Sequence, residues 1–179
     1  MAEAPNMRLW VGRAIYVTIG LILIFFSLLP LDAQPDVLPW PDLLILSTVV
    51  WVARRPDYTP VLAIGFLFFL TDLLFQRPPG LWTALVILLT ESIRKRAIQL
   101  RNAPVLLEWG TIALGIVAIT LAYRAILFMA LTPTAPLGLT LLQLIMTIAC
   151  YPVVGILAHY VFGVDRPAPG ATDSLGHRL

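Results

Sequence analysis

Six stretches of this sequence, at residues 10–31, 37–53, 60–75, 81–98, 104–131 and 137–162, are apolar for most of their length, with prolines or charges between them. A helix needs about 20 mostly apolar residues to cross a bilayer. Six such stretches in 179 residues leave little over for a water-facing domain. Charged side chains make up 12% of the sequence, against roughly 25% in an ordinary soluble domain, and mean hydropathy is +0.89. No core of this size hides that much apolar side chain from water, so lipid must cover part of it. This excludes the soluble-enzyme, nucleic-acid-binding and disordered classes. The fold expected is an all-α integral membrane protein, a six-transmembrane-helix bundle.

The breaks carry helix-ending chemistry. Pro30, Leu31 and Asp32 end the first stretch, and Pro78, Pro79 and Gly80 separate the third from the fourth. Thr59 before Pro60 reads as an N-cap followed by proline at the first helical position, and Asn102 before Pro104 reads the same way. Pro152 lies inside the sixth stretch, where it predicts a kink.

Charge orients these elements. With both ends inside, every basic residue except Arg77 and Arg124 falls on the cytoplasmic side: Arg8, Arg13, Arg54, Arg55, Arg94, Lys95, Arg96 and Arg101, with Arg166 and Arg178 in the tail. The net charge of +2 is therefore first a topology signal. The second stretch is short and needs residues 37–40 to reach the outer interface. A re-entrant reading would put Arg54 and Arg55 outside and invert every later loop, so it is rejected. The first stretch is too long for a signal-peptide core, and Ser27, Leu28, Leu29 and Pro30 make no A-x-A cleavage site. Residues 1–163 are expected to form one domain and residues 164–179 a flexible cytoplasmic tail. Cys150 is the lone cysteine, which excludes an intrachain disulfide and a cysteine-rich metal cage.

Ionisable residues inside a membrane are functional candidates, because burying a charge in lipid is costly. Asp42 follows Pro41 in the first turn of the second stretch, where it caps the helix or meets an outer partner. Asp72 lies near a helix C-terminus, where the dipole disfavours a carboxylate. An internal Asp72–Arg124 ion pair is the expected arrangement, with a bound ion or substrate, or a partner-docking groove, as alternatives. Arg77 stands at a helix end, and Arg124 has the further option of snorkelling outward. Glu91 is placed to pair with Arg94 or Lys95, and Glu108 suits the start of the fifth helix. Glu108, Thr111, Gly115, Ala118 and Ala122 form one stripe of mostly small residues, suited to packing within the bundle or to docking a foreign single-pass helix.

Metalloprotease, phosphate-loop, nucleophile-elbow and dinucleotide motifs are missing from the sequence. His159 and His177 are too far apart to share a metal easily, and Asp72 and Glu91 lie at different depths and form no evident dyad. No catalytic role, metal or cofactor is expected.

Residues 51–97, WVARRPDYTPVLAIGFLFFLTDLLFQRPPGLWTALVILLTESIRKRA, resemble the rod-shape-determining protein MreD family in its alphaproteobacterial form. The Pro-Asp-Leu-Leu at residues 41–44, the aromatic-basic end of the second stretch at residues 51–55, and the run from Asp72 to Pro79 and Gly80 carry the likeness, as do length and the six-span plan. The resemblance implies a non-enzymatic component of the bacterial inner membrane, supporting lateral peptidoglycan synthesis and rod shape within the cell-elongation complex. It implies association with the single-pass protein MreC, and through it with MreB, RodA and a class B penicillin-binding protein, in contact with membrane lipid. The family's bundle is similar to the S components of energy-coupling-factor transporters, so a small-molecule-binding transport subunit is the alternative. The family supplies no catalytic motif, and residue roles rest on the chemistry above.

Overall fold

The computed structural model describes residues 4–29 and 39–162. The break at residues 30–32, residues 37 and 38 of the approach to the second stretch, and the tail at residues 164–179 with Arg166, His177 and Arg178 lie outside the described residues.

Each apolar stretch carries one main helix: α1 (Ala4–Leu28), α2 (Leu43–Arg54), α3 (Val61–Leu74), α4 (Leu81–Lys95), α6 (Val105–Met129) and α7 (Leu137–Phe162). A short α5 (Ala97–Asn102) and a 3-10 turn (Pro56–Tyr58) complete the described elements. Three helices, α1, α6 and α7, are long and apolar enough to cross a membrane, the mark of a membrane protein. Helices α2 and α3 are apolar but shorter. Their exteriors fit this assignment: Leu62, Leu114, Phe128, Met129 and Tyr160 are large and exposed, and so many outward apolar groups call for lipid or partner contact.

Helix α2 explains its own shortness. At 1.5 Å per residue its 12 residues reach about 18 Å, less than the roughly 30 Å of a hydrocarbon core. Every residue from Leu44 to Ala53 is buried. A helix apolar all round belongs inside, and α2 is the post around which α1, α4, α5 and α7 pack, while α3 bridges α1 to α4 and α6 bridges α4 to α7. The Gln143 amide donates to the Trp40 carbonyl (3.4 Å), and the Asp42 N–H donates to Thr147 Oγ1 (3.0 Å). The chain entering α2 therefore runs along α7, and the helix begins ten residues inside α7, about 15 Å from its first turn.

Arginines fasten the opposite end. Arg94 Nη1 and Nη2 donate to the carbonyls of Pro56 (2.8 Å) and Thr59 (2.6 Å), gripping the α2–α3 turn from the end of α4. Arg54 Nη1 donates to the Gly155 carbonyl of α7 (2.7 Å), and Arg13 Nε donates to the Asp57 carbonyl (3.2 Å). Tyr16, Trp51 and Tyr58 pack in sequence with tilted rings, centroids 5.9 and 6.2 Å apart, and join α1 to α2 and the turn.

Three local expectations change. Thr59 does not cap α3: its hydroxyl donates to the Pro56 carbonyl (3.3 Å), and Pro60 takes the cap position. The fourth helix stops at Lys95 instead of running to residue 98, and Asn102 ends α5 instead of capping α6. Ala97 and Leu100 are the reason, since their burial sets this extra turn against α2. Pro152 lies within α7 without ending it.

Candidate functional site

A cavity of about 420 Å³ opens at the end of the bundle where α3 turns into α4 and α6 into α7. Arg77 and Pro78 form one wall, Tyr123 and Arg124 of α6 another, and Thr140, Gln143 and Thr147 of α7 a third. Asp42 and Ile45 reach it from the start of α2. The site thus gathers Asp42, Arg77 and Arg124 from three separate parts of the sequence.

Asp42 acts as the N-cap of α2. Its Oδ1 accepts the Ile45 N–H at 3.0 Å, which satisfies a donor that the first helical turn leaves open. The capping alternative for this residue is the one realised.

The Asp72–Arg124 ion pair does not form. Asp72 is fully buried, and its Oδ2 accepts the N–H of Gly80 (3.0 Å) and both the N–H (3.2 Å) and the hydroxyl (2.8 Å) of Thr83. A carboxyl group at the end of one helix thus caps the beginning of the next. Gly80 holds φ +85° at the N-cap of α4, a conformation that glycine adopts without steric cost. The donors Asp72 needs lie eight and eleven residues downstream, in a helix start that supplies N–H groups together with a favourable dipole.

Arg124 turns to the α6–α7 connection instead. Its Nη1 donates to Thr140 Oγ1 (2.6 Å) and the Ala135 carbonyl (3.1 Å), and its Nη2 to Thr134 Oγ1 (3.4 Å). Arg77 rests its guanidinium over the rings of Phe75 (5.4 Å) and Trp82 (5.7 Å), a cation–π arrangement that holds the group without consuming its N–H donors. Trp82 is in turn edge-on to Tyr123, at 5.3 Å between centroids. Glu91 and Arg94 form a carboxylate–guanidinium bridge at 2.9 Å, the local pairing expected for Glu91.

Glu108 lies in the first turn of α6, as expected, and it also reaches across the bundle. Its Oε1 accepts the buried Tyr151 hydroxyl of α7 at 2.7 Å. The stripe that contains it divides. Gly115 is seated against Leu89 of α4 so closely that a Cβ there would meet the Leu89 side chain. Thr111 and Ala122 are half-buried, and Ala118 is exposed. The face of α6 turned to the core is instead Glu108, Ile112, Ile116, Ile119 and Leu127.

The residues that sequence reasoning passed over are on α7. Thr140, Gln143 and Thr147 recur at intervals of three and four, which puts three polar groups on one face of an otherwise apolar helix. That spacing was the available signal. No group of three or more His, Cys, Asp or Glu side chains able to hold a metal ion occurs among the described residues.

Compared with known proteins, the chain matches no family model, no curated protein and no solved structure.

Proposed function

We propose that this protein is a non-enzymatic membrane scaffold of the MreD type, serving the bacterial cell-elongation complex by binding an MreC-like single-pass protein. The observation that carries this reading is the segment at residues 51–97. The residues that bear the resemblance are also those whose polar groups brace the bundle, with Arg94 holding the α2–α3 turn and Asp72 holding the start of α4. A segment whose Asp72 and Arg94 are spent on internal bracing suits a rigid platform better than a turnover site.

Six crossings with both termini in the cytoplasm fit the charge distribution. Arg13, Arg54 and Arg94 converge on one end of the bundle through their bonds to Asp57, Gly155 and Pro56, while Arg77 and Arg124 mark the other. The basic-rich end belongs on the inner leaflet of the bacterial inner membrane. In this reading α2, short and wrapped by its neighbours, crosses with the help of the residues before it. Affinity purification from cells in mild detergent is expected to recover an MreC-like partner, and a reproducibly solitary protein overturns the proposal.

The cavity beside Arg77 and Arg124 favours a second reading, a small-molecule-binding transport subunit. Stabilisation by a soluble vitamin in a thermal-shift screen would support it, and failure of every compound tested would count against it.

A further inference from the structure

The 420 Å³ cavity has a greasy annex. A second cavity of about 700 Å³ adjoins it and shares Asp42, Phe75, Arg77, Trp82 and Gln143 as common walls. Its remaining lining is largely apolar and includes Leu23, Ile24 and Phe26 of α1 and Phe68 of α3. One side of the composite space is thus polar and cationic, and the other is oily.

The cations on the polar side are poised rather than neutralised. Neither Arg77 nor Arg124 has a carboxylate within 4.0 Å among the described residues. Each is nonetheless fixed in place, Arg124 by Thr140 and Ala135 and Arg77 by two aromatic faces. A guanidinium carries five N–H donors in a planar fork suited to an oxyanion, so both retain donors for a ligand. The walls hold one carboxylate, that of Asp42, against these two guanidiniums, and its Oδ1 is engaged by the Ile45 N–H. Unpaired cations near membrane depth are costly, and an anionic group between them removes that cost.

We propose that this paired cavity binds an amphiphile, with a phosphate headgroup held between Arg77 and Arg124 and its hydrocarbon chain lying in the annex against Leu23, Ile24 and Phe68. A free phosphate shares the headgroup chemistry but leaves the apolar annex unused, so a membrane phospholipid with a net negative headgroup is the occupant. The proposal does not rest on partner recognition, because every wall it uses is a residue of this chain.

The test uses the full chain purified in neutral detergent, with dioleoylphosphatidylglycerol, dioleoylphosphatidylcholine or inorganic phosphate added. Native mass spectrometry counts bound lipid, and the melting midpoint reports stabilisation. Phosphatidylglycerol is expected to bind about tenfold more tightly than phosphatidylcholine, the size of one charge-assisted hydrogen bond. Arg77→Gln and Arg124→Gln are each expected to erase that preference, weakening phosphatidylglycerol more than phosphatidylcholine until the two bind alike. Should either variant fail to fold, competition between the two lipids on the unaltered protein decides. Equal binding of the two lipids, or a preference that survives both substitutions, overturns the site. Stabilisation by inorganic phosphate equal to that by phosphatidylglycerol overturns its assignment to lipid.

Discussion

The Asp72 carboxyl near the end of α3 and Thr83 in the first turn of α4 are joined twice, through the Thr83 hydroxyl at 2.8 Å and its N–H at 3.2 Å. With the Gly80 N–H also on the same oxygen, this one group sets the angle between two consecutive helices. Removing it leaves buried donors unsatisfied, the expensive half of hydrogen-bond energetics. Asp72→Ala is expected to lower stability by about 2–3 kcal/mol, and Thr83→Val by about 1 kcal/mol. The double variant should lose less than the sum, because the two changes remove a shared bond. Arg124→Leu combined with Asp72→Ala should be additive, since the two residues have separate partners. Thermal or denaturant melts in detergent measure all four, and recovery of stability by Arg124→Leu would show that Asp72 depends on that cation after all.

Arg94 serves three acceptors at once, Glu91 Oε1 and the carbonyls of Pro56 and Thr59. Its value lies in the two carbonyls. The Glu91 pair is partly exposed, with side chains 25% and 35% accessible, and such pairs contribute little in solvent. Glu91→Gln is expected to cost under about 1 kcal/mol. Arg94→Lys keeps the charge but lacks the planar fork, and should cost about 1–3 kcal/mol. The order of the two melting midpoints is the check, and an equal loss would place the energy in the ion pair.

What the sequence made legible follows the range of the interaction. Asp42 sits immediately before an apolar run, and its cap on Ile45 is three residues away. Glu91 and Arg94 are likewise one helical turn apart. These contacts obey rules that operate within one helix. Asp72 escaped them because its donors belong to the following helix, so a rule about its own helix's dipole pointed to a cation that is not there. Tyr151, 43 residues from Glu108, gave no local signal at all. The six apolar stretches marked the positions of the main helices but overstated the length of α2, because full burial among neighbours and exposure to lipid both require apolar side chains. Thr140, Gln143 and Thr147 were readable as a polar face, and only the fold shows that this face borders the same cavity as Arg77 and Arg124.

The stripe on α6 offers a separation of packing from docking. Gly115 abuts Leu89, whereas Ala118, one turn on, is exposed. Gly115→Val should overpack the α4–α6 contact and cost about 1–3 kcal/mol, with Leu89→Ala restoring part of the loss. Ala118→Leu should leave the melting midpoint within about 0.5 kcal/mol of the parent. If this outer face receives a partner helix, Ala118→Leu is expected to reduce partner recovery without affecting stability. Unchanged recovery would move the contact to another face.

The orientation of the bundle yields a direct chemical prediction. Lys95 at the end of α4 and Thr132 after α6 are both exposed. They lie toward opposite ends: Lys95 follows Arg94 on the α2–α3 turn, and Thr132 lines the cavity with Arg77. Cationic residues resist transfer to the outer face, so the proposed topology puts the end bearing Arg54, Arg94 and Lys95 on the inner leaflet. In a Cys150→Ala background, Thr132→Cys should react with a membrane-impermeant maleimide in cells whose outer barrier alone has been opened. Lys95→Cys should react only after the inner membrane is breached. Labelling of both from the outside would mean that α6, the long helix between them, does not cross the bilayer, and the reversed pattern would place the Arg77–Arg124 cavity on the cytoplasmic face.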